Sequence, residues 1–144
     1  KLLVSPTPFN TVLWRGLIVA PDAYYVTYHS LYAPSAEPHF ERYNNNVALL
    51  APFQKSWAVN RLVWFTKGFN AVAEGDDKVT ITDLRMGLEP SSYVFSFMVA
   101  KRDGAGVMRP VDVTRRVQSP QFGSKRLGQL WESLTTGRPP PRAQ

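Results

Sequence analysis

Residues 11–32 read TVLWRGLIVAPDAYYVTYHSLY, and this stretch decides which class of fold the chain can form. Both halves of it, 11–19 and 24–32, are rich in β-branched and aromatic residues, which favour strands. The APDA between them contains Pro21 and Asp22, which are favoured in turns. The stretch therefore predicts an antiparallel hairpin.

The same strand and turn signals recur further along the chain. Residues 69–86 hold two strand-like runs around the turn signal GDD, and a further strand is predicted over 92–101. Residues 1–10 read as an extended lead-in and 33–46 as a loop or short crossover. Residues 109–121 read as irregular, with one edge strand as an option. We therefore expect an α+β fold, with an antiparallel sheet of about five strands and helices packed on one face.

Two helices belong to this expectation. Residues 53–67 have apolar residues near helical spacing, and Pro52 before them and Gly68 after them can start and end a helix. Residues 124–136 place four apolar side chains on one stripe, which predicts an amphipathic helix. Together the elements predict one domain over 1–136, followed by a Pro-rich tail over 137–144. Aromatic residues at such spacings are interpreted as core, with a nucleic-acid or sugar-binding stripe as the alternative.

The composition fits one globular domain and excludes several kinds of site. The chain has 144 residues, 44% of them hydrophobic, and no apolar run of about 18 residues that would span a bilayer. It has no cysteine, which excludes disulfides, thiolate nucleophiles and cysteine-ligated zinc. A start at Lys1 instead of Met suggests a piece of a longer chain.

The positive charge is concentrated at the C-terminal end. Residues 1–100 hold eight basic and eight acidic residues, whereas 101–144 hold nine basic and three acidic, which accounts for the whole net charge of +6. Such a segment would attract anionic lipid or nucleic acid, and a solvated tail is the simpler interpretation. The basic residues that would form this surface include Arg115, Arg116, Lys125 and Arg126.

Metal and nucleophile motifs do not occur in the sequence. The two histidines, His29 and His39, lie ten residues apart, and Glu37 and Glu41 flank the second without forming an H-x-x-H or H-E-x-x-H pattern. We therefore expect ordinary polar histidines, and no metal or cofactor bound by this chain. Neither a G-x-S-x-G elbow nor a P-loop is present.

Three charged residues within apolar strands are the candidate site residues: Asp83, Arg85 and Arg15. A charge among apolar strand residues is costly to desolvate unless it is paired, and arginine matches a carboxylate with a planar fork. The structural hypothesis is that Arg15 or Arg85 pairs with Asp83 across the sheet. The functional hypothesis is an anion-binding or acid–base site formed by the same three residues.

Three sequence blocks resemble a known family. SPTPFNTVLWRG, LVWFTKGF and the DLRMG block followed by YVFSF occur in this order over roughly residues 5–100. They resemble the C-terminal soluble region of the bacterial membrane-bound metal-dependent hydrolases, the inner-membrane group with a LexA-regulated member. The residues that carry the resemblance are Pro8, Asn10, Leu13, Trp14, Arg15, Trp64, Phe65, Gly68, Asp83, Leu84, Arg85 and Gly87.

The resemblance predicts where the protein is located but assigns no catalytic residue to this chain. In that family a membrane region with the His-rich metal motif comes first, so a divalent metal would belong to the longer protein and to no residue of this chain. The expected function is an accessory domain, for substrate access or partner binding, on a protein of the bacterial inner membrane. Two alternatives remain at this point: a self-contained hydrolase or anion-binding domain using Asp83, Arg85 and Arg15, and a basic binder of nucleic acid or anionic lipid.

Overall fold

The structure, a computed structural model, describes residues 1–7, 11–32, 37–89 and 92–117. Within these residues the chain forms two four-stranded antiparallel sheets, a two-stranded ribbon, one 3-10 helix and one α-helix. The predicted helix over 124–136 and the tail over 137–144 lie outside the described residues.

The first sheet has its strands in chain order: β1 (Leu2–Pro6), β2 (Leu13–Val19), β3 (Ala23–Ser30) and β4 (Glu41–Asn44). The β2–β3 pair is the hairpin predicted from residues 11–32, and its register places Val19 opposite Tyr24 across the turn. The edge strands β1 and β4 were expected to be a lead-in and a loop. Both are short, and their sequences, LLVSP and ERYN, do not alternate between apolar and polar residues, so the sequence shows no clear strand pattern there.

The second sheet has the order β10 (Met108–Arg116), β9 (Ser96–Arg102), β6 (Lys78–Asp83) and β5 (Asn70–Gly75). Its β5–β6 hairpin confirms the prediction for residues 69–86. Asp76 and Asp77 form a two-residue turn with φ of 49° and 57°, as a type I′ turn requires. The edge strand suggested within 109–121 is also present.

The prediction of a single sheet of about five strands is wrong, although the α+β class is confirmed. The predicted strand over 92–101 is interrupted, so that β8 (Ser92–Tyr93) pairs with β7 (Gly87–Leu88) and only β9 joins the second sheet. The break comes directly after the β7–β8 ribbon. The first residue of this ribbon, Gly87, has a φ of 142°, which redirects the chain. Alternating hydrophobicity continues through the break, so the sequence pattern does not reveal it.

The helix predicted over 53–67 is present as α1 (Trp57–Thr66), which begins four residues later than predicted. A separate 3-10 helix covers Val47–Phe53 and precedes it. Helix α1 begins after Ser56, which caps it by accepting a hydrogen bond from the Val59 N–H. Lys67 and Gly68, both with positive φ, end the helix where its glycine was expected to end it.

Each sheet has its own hydrophobic core. The first core contains side chains of the first sheet and of the ribbon with its neighbouring residues: Leu13, Leu17, Val26, Leu84, Leu88 and Tyr93. The second core contains side chains of α1 and of the second sheet, among them Val59, Leu62, Val72, Ile81 and Val99. The Asn45 amide connects the two halves, because it donates to the carbonyls of Ala20 at 2.9 Å and Asn70 at 3.2 Å. Both helices pack on the second sheet, because residues of each belong to its core.

Candidate functional site

Arg15 lies at the centre of a buried polar cluster in the first core. It shares the inner face of β2 with Leu13 and Leu17, and its side chain is 2% exposed. The guanidinium donates through Nε to Oε2 of Glu89 at 3.2 Å and through a terminal nitrogen to Oε1 of the same carboxylate. Its other terminal nitrogen donates to the Leu84 carbonyl at 2.7 Å. Arginine and glutamate thus form a two-point contact that water does not reach.

Two tyrosines complete this cluster. The Tyr28 hydroxyl, across the β2–β3 pair from Arg15, donates to Oε2 of Glu89 at 2.8 Å, and the Tyr93 hydroxyl donates to Oε1 at 2.7 Å. Burial opposes the charged form of Arg15, but the facing Glu89 carboxylate outweighs it and raises the pKa of the guanidinium above its ordinary value. We name these four residues the Arg15–Glu89 cluster. The cluster also extends to Tyr24, whose side chain is hydrogen-bonded to that of Tyr93.

Sequence reasoning identified Arg15 but not its partner. The prediction was that Arg15 or Arg85 pairs with Asp83 across the sheet. In the structure Arg85 does pair with Asp83, but locally at the end of β6 and not across the sheet. The partner of Arg15, Glu89, follows it by 74 residues and stands in GLEP, which reads as a turn. The sequence contained one indirect signal for Glu89: a buried arginine must be paired, so Arg15 required a carboxylate from elsewhere in the chain.

We expect the domain to lose stability in alkaline solution because of these phenols. Burial, and then the Glu89 charge, raise the pKa of Tyr28 and Tyr93 well above the ordinary 10.0. The folded chain therefore retains protons that the unfolded chain releases, so stability is complete below pH 10 and falls as the pH rises beyond it. In an alkaline titration, the last rise in tyrosinate absorbance should coincide with the loss of circular dichroism. Ionisation of all six tyrosines near their ordinary pKa with the fold intact would contradict this.

The second polar feature, the Asp83–Arg85 clamp, lies at the end of β6. The Asp83 side chain is 2% exposed, and its two oxygens accept from Nε of Arg85 at 2.9 Å and 3.2 Å. A terminal nitrogen of Arg85 donates both to Asp83, at 2.5 Å, and to the Phe65 carbonyl in the last turn of α1, at 2.9 Å. The guanidinium also lies 5.2 Å from the Phe65 ring centroid. The clamp therefore connects α1 to the end of β6.

Asp83→Asn should lower the free energy of unfolding by about 1.5–3 kcal/mol, the usual value for hydrogen bonds to a charged group. The amide would keep one acceptor but would turn an N–H₂ donor toward the guanidinium. Denaturant unfolding measures the change, and Asp112→Asn, at an exposed carboxylate on β10, is the control. An unchanged unfolding midpoint for Asp83→Asn would refute the structural role of the clamp.

The remaining candidate residues do not converge on a site. His29 lies exposed on β3, and His39 is exposed before β4. No group of three or more histidines and carboxylates lies close enough to hold a metal within the described ranges. Arg116 is exposed near the end of β10, whereas Lys125 and Arg126 lie outside the described residues, and for Arg115 only the backbone pairing with Met98 is described.

The third feature is the α1 outer face, formed by Trp57, Arg61, Val63, Trp64 and Phe65. Trp57 is 76% exposed and Trp64 is 67% exposed, although aromatic residues at helical spacing were interpreted as core. Arg61 lies over the Trp64 ring, 4.5 Å from its centroid. A depression of about 620 Å³ borders this face and is lined by Lys1 and Lys67 together with Trp64, Phe65 and Arg85.

Comparison of the chain with family models, with curated proteins and with solved structures finds no match. The resemblance carried by the three sequence blocks thus stays a prediction. No helix in the described part of the chain is long and apolar enough to cross a bilayer.

Proposed function

We propose that this chain is an accessory domain of a membrane-anchored protein of the membrane-bound metal-dependent hydrolase family. In this proposal the metal centre belongs to a membrane region upstream of Lys1, in the bacterial inner membrane. The domain acts by binding a partner or by shaping substrate access, and it does not carry the reacting groups itself.

The observation that carries the proposal is where the charged residues of the three blocks make their bonds. Arg15, from the first block, donates to the carbonyl of Leu84 in the third block. Arg85, also from the third block, donates to the carbonyl of Phe65 in the second. The blocks that resemble the family thus meet in space and hold the fold together. This supports a structural role for their charged residues.

The geometry disfavours the alternative of a self-contained hydrolase or anion-binding domain. A general base must come within hydrogen-bond reach of the proton that it removes, and a binding arginine must present its guanidinium to the ligand. Asp83 is buried with both oxygens engaged by Arg85, and Arg15 is buried against Glu89. Only Arg85, with its side chain 25% exposed, reaches the depression beside α1.

Elemental analysis tests the proposal. The metal content of this 144-residue chain would be measured beside that of the longer protein with its membrane region, purified in detergent. We expect stoichiometric metal in the longer protein alone. Stoichiometric metal in the short chain, lost in His29→Ala or His39→Ala, would overturn the accessory role. Absence of metal from both proteins would overturn the family assignment.

A further inference from the structure

Helix α1 is apolar on two opposite faces, which is unusual for a helix at a protein surface. Its inner face, with Val59 and Leu62, packs on the second sheet. A surface helix normally turns polar side chains to the solvent, yet two tryptophans and Phe65 lie on the outside. Exposed large apolar side chains grouped in this way mark an interaction surface.

The charge around this face is mainly positive. Lys55, Arg61 and Lys67 lie on or next to α1, and the exposed Asp112 of β10 lies beside Lys55 and Trp57. Lys1 adds a fourth cation at the C-terminal end of α1, where its Nζ donates to the Lys67 carbonyl at 2.6 Å. Asp83, which reaches the helix through Arg85, is neutralised by that arginine. The surface is therefore complementary to an anionic partner.

The side-chain chemistry favours a lipid surface over a nucleic acid. Tryptophan with basic neighbours is typical of the boundary between headgroups and acyl chains, where the indole is partly wet and partly apolar. Single-stranded nucleic acid requires free aromatic faces on which bases stack. The Trp64 ring already has Arg61 over it, and the neighbouring Val63 offers apolar contact without a stacking surface.

We propose that the α1 outer face, with Lys1 and Lys67, docks the domain onto a bilayer that contains anionic phospholipid. Trp57 and Trp64 enter the interface while the surrounding cations contact the headgroups. The inference rests on the proposed function for the presence of a bilayer close to the domain. It differs from the C-terminal basic segment as a lipid-binding site, because it assigns the contact to α1.

Co-sedimentation with vesicles tests this assignment. The chain should bind vesicles of phosphatidylcholine and phosphatidylglycerol, with a blue shift of tryptophan fluorescence, and should bind pure phosphatidylcholine more weakly. Arg61→Glu and the double variant Trp57→Ala/Trp64→Ala should each weaken binding to the anionic vesicles roughly tenfold or more. Tyr32→Ala and Lys101→Glu, at exposed positions away from α1, are the matched controls and should bind like the unaltered chain.

Three results would overturn the proposal. Unchanged binding by the α1 variants would assign lipid binding to the C-terminal basic residues. Binding of single-stranded DNA that depends on Trp57 and Trp64, without vesicle binding, would assign the face to nucleic acid. Absence of vesicle binding at low salt by a folded chain would remove the lipid contact. None of these results bears on metal content, so the proposed function is judged separately.

Discussion

Glu89→Gln is expected to lower the free energy of unfolding by about 3–5 kcal/mol, the usual cost of removing one partner from a buried ion pair. The substitution preserves the shape of the side chain and removes its charge. Arg15 would then remain charged in the first core, bonded only to neutral groups, because burial leaves it no access to water. Small domains are stable by about 5–15 kcal/mol in total, so the loss should be evident in urea unfolding.

A second variant separates the ion pair from general damage to the core. Arg15→Met/Glu89→Gln removes both charges, and we expect it to be more stable than Glu89→Gln alone, since no unpaired charge is left in the core. Glu74→Gln serves as the surface control, because its partner Arg102 is partly exposed, and it should change stability by less than about 1 kcal/mol. Strictly additive losses in the double variant would show that the two charges are not coupled.

Gly87→Ala should destabilise the domain by about 2–5 kcal/mol through backbone strain and overpacking. Gly87 has a φ of 142°, and a Cβ there would lie 2.5 Å from both the Ser92 carbonyl oxygen and the Tyr93 Cα. Because these are backbone atoms of the paired strand, the β7–β8 ribbon would have to separate. That ribbon carries Tyr93 and leads directly into Glu89, so its displacement should also disrupt the Arg15–Glu89 cluster.

Thermal unfolding and near-ultraviolet circular dichroism would measure this effect. Gly75→Ala is the matched control, since no atom lies within 4 Å of the corresponding Cβ and the backbone there has no positive φ. We expect the control to unfold close to the unaltered chain. A Gly87→Ala variant with unchanged melting temperature and unchanged tyrosine signals would contradict the close approach of the two strands.

Several features of the fold could be predicted because their causes are local. Pro21 and Asp22 specify one turn, Asp76 and Asp77 specify the other, and alternating side chains specify the strands on either side. The lysine and glycine after Thr66 end α1 in the same way. The α+β class follows from these elements. How many sheets they form does not, because strand period is the same in one sheet as in two.

The candidate site, too, could be predicted from the sequence only in part. From the sequence alone, Arg15 needed a carboxylate partner, since a lone charge among Leu13 and Leu17 would be too costly to bury. Which carboxylate it meets was decided by the tertiary structure, through a ribbon that brings Glu89 across 74 positions of sequence. The outward direction of Trp57 and Trp64 was decided in the same way. Helical spacing places residues on a face, and only packing against the second sheet determines which face remains in solvent.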